Sequence, residues 1–216
     1  MKKNNITEVV FILDASGSMY ELTDDTIGGF NSMLEKQKNG EGKLLITTIT
    51  FNTESHTVHD RADGREVQPL TGKDYQAGGC TALLDAMGDA IRKTMDIHRY
   101  IRPEDVPDQT LFVITTDGME NASRRYSSDE VKKLVEQKTK DGWEFIFMGA
   151  NIDAVETAKH YGIRAERAVD YLADAVGTAV NFQAVGDVMK EMACGAPMRD
   201  SWSDAIKKDY KARKNR

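Results

Sequence analysis

A run of five apolar residues at positions 9–13 ends abruptly at the carboxylate of Asp14. A continuous apolar run of this length is typical of a β-strand buried on both faces, as in a parallel sheet covered by helices. Ser16 and Ser18 follow, with Gly17 between them, so oxygen-bearing side chains occupy three alternate positions. Such a set suits a hard divalent cation, and it also suits an ordinary capped strand-to-helix turn. This segment alone leaves both interpretations open.

The rest of the chain alternates short apolar segments with segments of helical periodicity. Strands are expected at 9–13, 44–51, 55–61, 110–116, 143–148 and, from a weak signal, 168–169. Helices are expected at about 23–39, 81–96, 127–141, 153–161 and 172–192. The three-residue turn at 52–54 joins antiparallel neighbours, and the more polar strand of that hairpin is expected at the sheet edge. The pattern predicts an α/β fold: a doubly wound sheet of about six strands, mostly parallel with one antiparallel edge strand, and helices on both faces.

Several helix ends carry recognisable capping residues. Thr23 is expected to cap the first helix. Ser127 and Glu130 have the spacing of a capping box at the start of the third helix. Asp153 is expected to open the fourth helix and Gly162 to end it.

Two further segments are expected to bring oxygen atoms to the place where the first strand ends. The strand at 110–116 also ends at a carboxylate, that of Asp117, and Thr81 opens a helix after the long irregular segment at 63–79. Doubly wound sheets bind ligands outside the carboxyl ends of strands, where the strand order reverses, so the two carboxylates are expected to face one crevice. The candidate metal ligands are therefore Asp14, Ser16, Ser18, Thr81 and Asp117. Such hard oxygen ligands favour Mg²⁺, Mn²⁺ or Ca²⁺ over Zn²⁺, and the set leaves room for a sixth ligand from outside.

Three segments of the chain resemble the metal-site motifs of the von Willebrand factor A (vWA) domain. Residues 14–18 match the D-x-S-x-S motif of that family, and residues 78–81 and 115–118 match its other two motifs in the family's order and spacing. The resemblance covers about residues 7–190 and is strongest to bacterial stand-alone members. It implies a Rossmann-like fold with an intact metal-ion-dependent adhesion site (MIDAS).

The resemblance also implies roles for the candidate ligands. Ser16, Ser18 and Thr81 would bind the ion directly, and Asp14 and Asp117 would act directly or through water. The implied function is Mg²⁺-dependent protein binding, in which an Asp or Glu of a protein partner completes the coordination. Cys80 departs from the family pattern, and because its soft sulfur is a poor Mg²⁺ ligand we expect it to pack.

The alternative function is that of a Mg²⁺-dependent phosphohydrolase. Such enzymes also place an aspartate nucleophile where Asp14 stands, but they generally need a second Asp two residues later, where this chain has Ser16. The chain also lacks a G-x-S-x-G nucleophile elbow and a phosphate-binding P-loop. We therefore expect a binding protein and not an enzyme.

Composition narrows the choice of partners and compartment. A formal net charge of −6 argues against a general nucleic-acid binder. No segment has the ~20 apolar residues that a membrane-spanning helix needs. Two cysteines, Cys80 and Cys194, make no disulfide framework. We expect a cytoplasmic protein.

The end of the chain differs in composition from the rest. Residues 1–195 are predicted to form the vWA domain, and residues 196–216 a basic C-terminal tail. Within the tail, Trp202, Ile206 and Tyr210 recur every four residues, which indicates a short amphipathic helix. The pattern is compatible with docking on its own domain and with contact to a partner or an anionic surface.

Overall fold

The computed structural model of the chain describes residues 4–214. Its strands are β1 (Ile6–Asp14), β2 (Lys43–Phe51), β3 (Ser55–Asp63), β4 (Gln109–Thr116), β5 (Glu144–Gly149) and β6 (Ala168–Asp170). Within the described residues they form one six-stranded sheet in the order β3-β2-β1-β4-β5-β6. Every pairing is parallel except that of β2 with β3, which is antiparallel and places β3 at the edge. This topology confirms the predicted Rossmann-like α/β fold, including the hairpin and its edge strand.

The helices cover both faces of the sheet. They are α1 (Thr23–Gln37), α2 (Leu83–Tyr100), α3 (Ser128–Lys140), α4 (Ala154–His160), α5 (Ala175–Ala193) and α6 (Asp204–Arg213). One apolar core lies between the sheet and α1, α5 and α6, and a second lies between the sheet and α2, α3 and α4. Within residues 4–214, no helix has both the length and the apolar character needed to cross a membrane.

Strand β1 contributes to both cores, as its apolar run predicts. Val9, Phe11 and Leu13 point into the core that includes α1 and α5. Val10 and Ile12 point into the core that includes α2 and α3. Because successive strand residues face opposite sides, a strand in the middle of a sheet needs apolar residues at every position to bury both faces.

Three helix starts differ in how well the sequence predicts them. The capping box of Ser127 and Glu130 is present at α3, as predicted. The cap expected at Thr23 is wrong: a 3₁₀ helix (Gly17–Leu22) runs directly into α1, and the Thr23 hydroxyl donates back to the carbonyl of Met19. The last long helix begins at Ala175, three residues later than predicted, because the carboxylate of Asp174 accepts the Gly177 N–H and so caps it.

The C-terminal helix α6 docks on its own domain through its apolar side. Ile206 is 1% exposed, and Trp202, just before α6, is also buried. The indole N–H of Trp202 donates to the carbonyl of Glu166 at 2.8 Å, which fixes the approach to α6. The division into a domain at 1–195 and a tail at 196–216 stays a prediction, and the outermost residues of both segments lie outside the described part of the chain.

A buried ionic cluster joins three elements at the amino-terminal end of β1. Glu8 is 1% exposed, and its carboxylate accepts two hydrogen bonds from Nη1 of Arg61 on β3, at 2.9 and 3.0 Å. The same carboxylate contacts Nε2 of His98 on α2. A buried carboxylate is costly unless it is paired and hydrogen-bonded, and here both partners come from distant parts of the chain.

We predict that Glu8→Gln lowers the free energy of unfolding by about 3 kcal/mol, because it leaves Arg61 without its buried charged partner. Urea denaturation would measure this loss. Glu35→Gln is the matched control: Glu35 pairs with Lys38 on the surface, and its side chain is 70% exposed. Equal effects of the two substitutions would contradict a structural role for the buried cluster.

Candidate metal centre

Asp14 lies buried at the carboxyl end of β1 with both carboxylate oxygens engaged. Oδ1 accepts the backbone N–H of Ser16 at 2.7 Å, and Oδ2 accepts the hydroxyl of Thr116 at 2.6 Å. Burial raises the pKa of Asp14 above its usual range, against the lowering effect of the hydrogen bonds from Thr116 and Ser16. These donors are neutral, so the carboxylate is held in place without a positive charge to balance it.

Asp117 lies beside this carboxylate, immediately after β4. Its Oδ1 accepts the Ser18 hydroxyl at 2.6 Å, and the hydroxyl oxygens of Ser16 and Ser18 are 3.3 Å apart. Asp14 and Asp117 thus meet through the serines of the segment that follows β1. This arrangement depends on the register of the two parallel strands, which pairs Leu13 of β1 with the residue just before Thr116.

Thr81 reaches the same place from the segment before α2. A Cβ atom added to Gly118 would lie 3.8 Å from both the Ser18 hydroxyl oxygen and the Thr81 hydroxyl oxygen. The structure therefore brings together all five of the side chains singled out in the sequence. Their coordination of a metal ion stays a prediction.

Backbone hydrogen bonds join the segments that carry these hydroxyls. The N–H of Gly17 donates to the carbonyl of Gly79 at 3.1 Å, and the N–H of Gly78 donates to the carbonyl of Ala15 at 2.9 Å. Gly79 has a φ of +73°, in the left-handed region that favours glycine. Its conformation turns the chain from the contact with Ala15 and Gly17 toward Thr81.

Tyr75 supports the site from beneath and was not singled out in the sequence. It is 1% exposed, and its hydroxyl donates to the backbone carbonyl of Asp14. Burial raises the pKa of Tyr75 above its usual range, so the hydroxyl remains a neutral donor. The available signal was that Tyr75 is the one aromatic residue in the sequence of segment 63–79.

Two residues after Asp117 fix the position of Thr81 and the start of α2. The side-chain oxygen of Asn121 accepts the N–H of Thr81 at 2.9 Å, and the N–H of Asn121 donates to the carbonyl of Thr81 at 3.0 Å. The carboxylate of Glu120 accepts the N–H of Leu84 in the first turn of α2 at 2.9 Å. The sequence alone did not predict these positioning roles, because both depend on contacts with a distant part of the chain.

One expectation about the rim of the site, that for Cys80, is wrong. Met19 is buried because the 3₁₀ helix turns it into the core, whereas Tyr20 and Met119 are each 75% exposed. Cys80, expected to pack, is exposed. Its backbone N–H donates to the Thr53 hydroxyl, which holds this part of the loop at the surface.

The donor set fits a hard divalent cation. Within the described part of the chain, no group of three or more His, Cys, Asp or Glu side chains is placed to hold a metal ion, so the set depends on hydroxyls for its remaining donors. Two neighbouring carboxylates and three hydroxyls supply only oxygen, which suits Mg²⁺ better than Zn²⁺. Because the hydrogen-bond donors to the buried carboxylate of Asp14 are neutral and Asp117 adds a second negative charge beside it, a bound cation would supply the missing positive charge.

The chain has the vWA type of Rossmann-like fold. The strand order of the sheet and the alternation of strands and helices are those of this fold. No protein-family model matches the chain, and no curated protein sequence is significantly similar to it. Solved structures therefore provide the comparison.

Several solved structures share this fold at low sequence identity. Proximal thread matrix protein 1 from the mussel byssus, with a zinc-occupied MIDAS motif, is 16% identical with a TM-score of 0.57; the match covers 87% of this chain and 46% of that one. A von Willebrand factor type A protein from Catenulispora acidiphila is 16% identical with a TM-score of 0.53; the match covers 85% of this chain and 42% of that one. The pilus adhesin SpaC from Lactobacillus rhamnosus GG is 10% identical with a TM-score of 0.63; the match covers 89% of this chain and 30% of that one. The match thus spans less than half the length of each of these structures.

We predict that Glu120→Ala speeds amide hydrogen exchange at Leu84, Ala122 and Ser123, because the Glu120 carboxylate accepts hydrogen bonds from all three N–H groups. Exchange followed by NMR would report each amide separately. Glu104→Ala is the control, since the Glu104 side chain is 64% exposed. Unchanged exchange at the three amides in Glu120→Ala would contradict the positioning role.

Proposed function

We propose that this chain is a divalent-metal-dependent protein-binding module of the bacterial stand-alone vWA type, with an intact MIDAS. In this proposal Asp14, Ser16, Ser18, Thr81 and Asp117 hold one Mg²⁺, for which Mn²⁺ or Ca²⁺ could substitute. An Asp or Glu side chain of a protein partner completes the coordination. The observation that carries the proposal is the hydrogen-bonded cluster of two carboxylates and their serine hydroxyls where β1 and β4 end.

The chemistry of the donor set supports a role for a partner carboxylate. The two carboxylates of the chain only just balance a doubly charged ion, and the three hydroxyls are neutral ligands. An open coordination position on such an ion would favour an additional acidic ligand through direct coordination. The zinc-occupied MIDAS motif of proximal thread matrix protein 1 supports metal binding by a domain of this fold. For this chain the oxygen-only donors favour Mg²⁺ over zinc.

The exposure of the site residues indicates the direction from which a partner approaches. Asp14 and Asp117 are buried, whereas Ser18 is exposed. Tyr20 and Met119, close in sequence to Ser18 and Asp117, are also exposed. Large exposed apolar side chains beside a polar site are typical of protein contact surfaces. These residues would therefore flank an incoming acidic side chain.

The geometry of Asp14 argues against the phosphohydrolase alternative. Both oxygens of its carboxylate already accept hydrogen bonds, and the residue is 0% exposed. A nucleophilic carboxylate must be open to in-line attack on its substrate, whereas an oxygen that accepts one hydrogen bond keeps a second lone pair for a metal ion or its bound water. We therefore assign Asp14 a structural and metal-binding role and propose that the protein is not an enzyme. Phosphomonoester turnover with Mg²⁺ that disappears in Asp14→Ala would contradict this assignment.

The proposal places the protein in the cytoplasm and does not include nucleic acid among its partners. Both cysteines, Cys80 and Cys194, are free and exposed, which suits a reducing compartment. The net charge of −6 opposes general binding to a polyanion.

We predict that titration calorimetry with MgCl₂ or MnCl₂ gives a saturable heat for one site in the wild type and none in Asp14→Ala. The substitution removes a buried carboxylate that the proposed site requires. Ser18→Ala provides a second test that leaves the buried hydrogen bonds of Asp14 intact, and it should weaken metal binding without unfolding the protein.

Asp24→Ala is the matched control for calorimetry, because Asp24 is an exposed carboxylate on α1 and its loss changes the net charge equally. It should bind metal like the wild type. Equal heats from wild type and both site variants would exclude the proposed metal centre.

Capture experiments would test the proposed role of the partner separately. We predict that the immobilised wild-type protein retains a protein partner in Mg²⁺ and releases it in EDTA, while Ser18→Ala fails to retain it. Substitution of one Asp or Glu in the captured partner by Asn or Gln should abolish retention in Mg²⁺. A partner that is retained equally in EDTA would not be held through the metal.

A further inference from the structure

A basic groove lies between helix α6 and the edge strand β6, away from the proposed metal ligands. Its cavity volume is about 500 Å³. The residues that line this α6 groove are Val155, Ala168, Val169, Asp170, Lys207, Tyr210, Lys211 and Lys214. The groove thus combines the side chains of one helix with the end of the sheet.

Three exposed lysines dominate the charge of the groove: Lys207 and Lys211 on α6 and Lys214 immediately after its end. Within residues 4–214, Lys207, Lys211 and Lys214 form no ion pair, whereas Arg213 on the same helix is held by Asp174 and Asp209. The three lysines recur at spacings of four and three residues, so they lie on one side of the helix.

The floor and the end of the groove also suit a polypeptide ligand. The ammonium group of Lys214 lies 4.8 Å from the centre of the Tyr210 ring, which leaves an aromatic surface beside the charges. Val155 is 37% exposed and adds an apolar wall. The one carboxylate among the lining residues, that of Asp170, is engaged by the N–H of Ala154 at 2.9 Å.

We propose that the α6 groove binds an acidic segment of a protein partner. Charge complementarity favours an acidic ligand, since the three lysines of the groove outnumber its one carboxylate, that of Asp170, which interacts electrostatically with Lys214. The apolar side of α6 is already buried through Ile206, with Trp202 packed just before the helix. Little apolar surface of α6 therefore remains to enter a lipid bilayer, and membrane docking is disfavoured.

The position of the groove relates it to the crevice at the carboxyl ends of the strands. Strand pairing places Asp170 level with Gly149 of β5, and Gly149 level with Thr116 of β4. The end of β6 is three strands from the end of β1, a separation of about 14 Å. An extended segment of about five residues spans this distance. The groove proposal nevertheless stands on its own residues and does not require a bound metal.

Fluorescence anisotropy with a labelled hexaglutamate peptide, in EDTA and at low ionic strength, would test the groove. We expect saturable binding to the wild type and a dissociation constant about tenfold higher for the triple variant Lys207→Gln, Lys211→Gln and Lys214→Gln. Replacing the same three lysines with arginine should preserve binding. Because the assay contains EDTA, its result does not depend on a bound metal, so failure of the metal proposal would not resemble failure of this one.

The control variant carries Lys132→Gln, Lys133→Gln and Lys140→Gln on α3, which gives the same change in net charge outside the groove. Equal weakening in the two triple variants would indicate a general charge effect and overturn the proposal. Absence of hexaglutamate binding to the wild type would also overturn it. Binding to phosphatidylserine vesicles but not to the peptide would instead identify a membrane as the occupant.

Discussion

The buried carboxylate of Asp14 is the constraint around which the rest of the site is built. It ends the doubly buried strand β1, where an uncompensated charge is costly. Hydrogen bonds from the backbone N–H of Ser16 and the hydroxyl of Thr116 offset part of this cost, and no basic side chain is among the donors to Asp14 in the described part of the chain. The hydrogen bond from Thr116 requires β4 to lie next to β1 in a fixed register. The same pairing brings Asp117 to its place, so the placement of one carboxylate determines that of the other.

Three separate loops converge on this strand end, and each is fixed by contacts made elsewhere. The loop after β3 is anchored by the buried Tyr75, whose hydroxyl reaches the Asp14 carbonyl. The loop after β4 is tied to the start of α2 by Glu120 and Asn121. Thr81 lies between these two anchors. A preorganised site needs such support, because a ligand set on free loops would have to be ordered when the metal binds.

The sequence predicted those parts of the protein that depend on local pattern. Apolar runs predicted the strands, and the aspartates that end two of them predicted where Asp14 and Asp117 would meet. Glu8 was missed because its partners, Arg61 and His98, become neighbours only when β3 and α2 assemble around β1. The supporting residues of the site were missed for the same reason. Their identities fit many polar loops, and only long-range contacts give them a role.

The charge distribution connects the two proposed binding surfaces. The body of the chain is acidic, with a net charge of −6, so it repels acidic partners over most of its surface. A cation held by Asp14 and Asp117 would make one local exception, and the lysines of the α6 groove, at 207, 211 and 214, make another. An acidic partner would then be favoured at these two places, which lie along the same edge of the sheet. Selectivity of this kind arises from the difference in charge between the binding site and the surface around it, and it needs no large apolar interface.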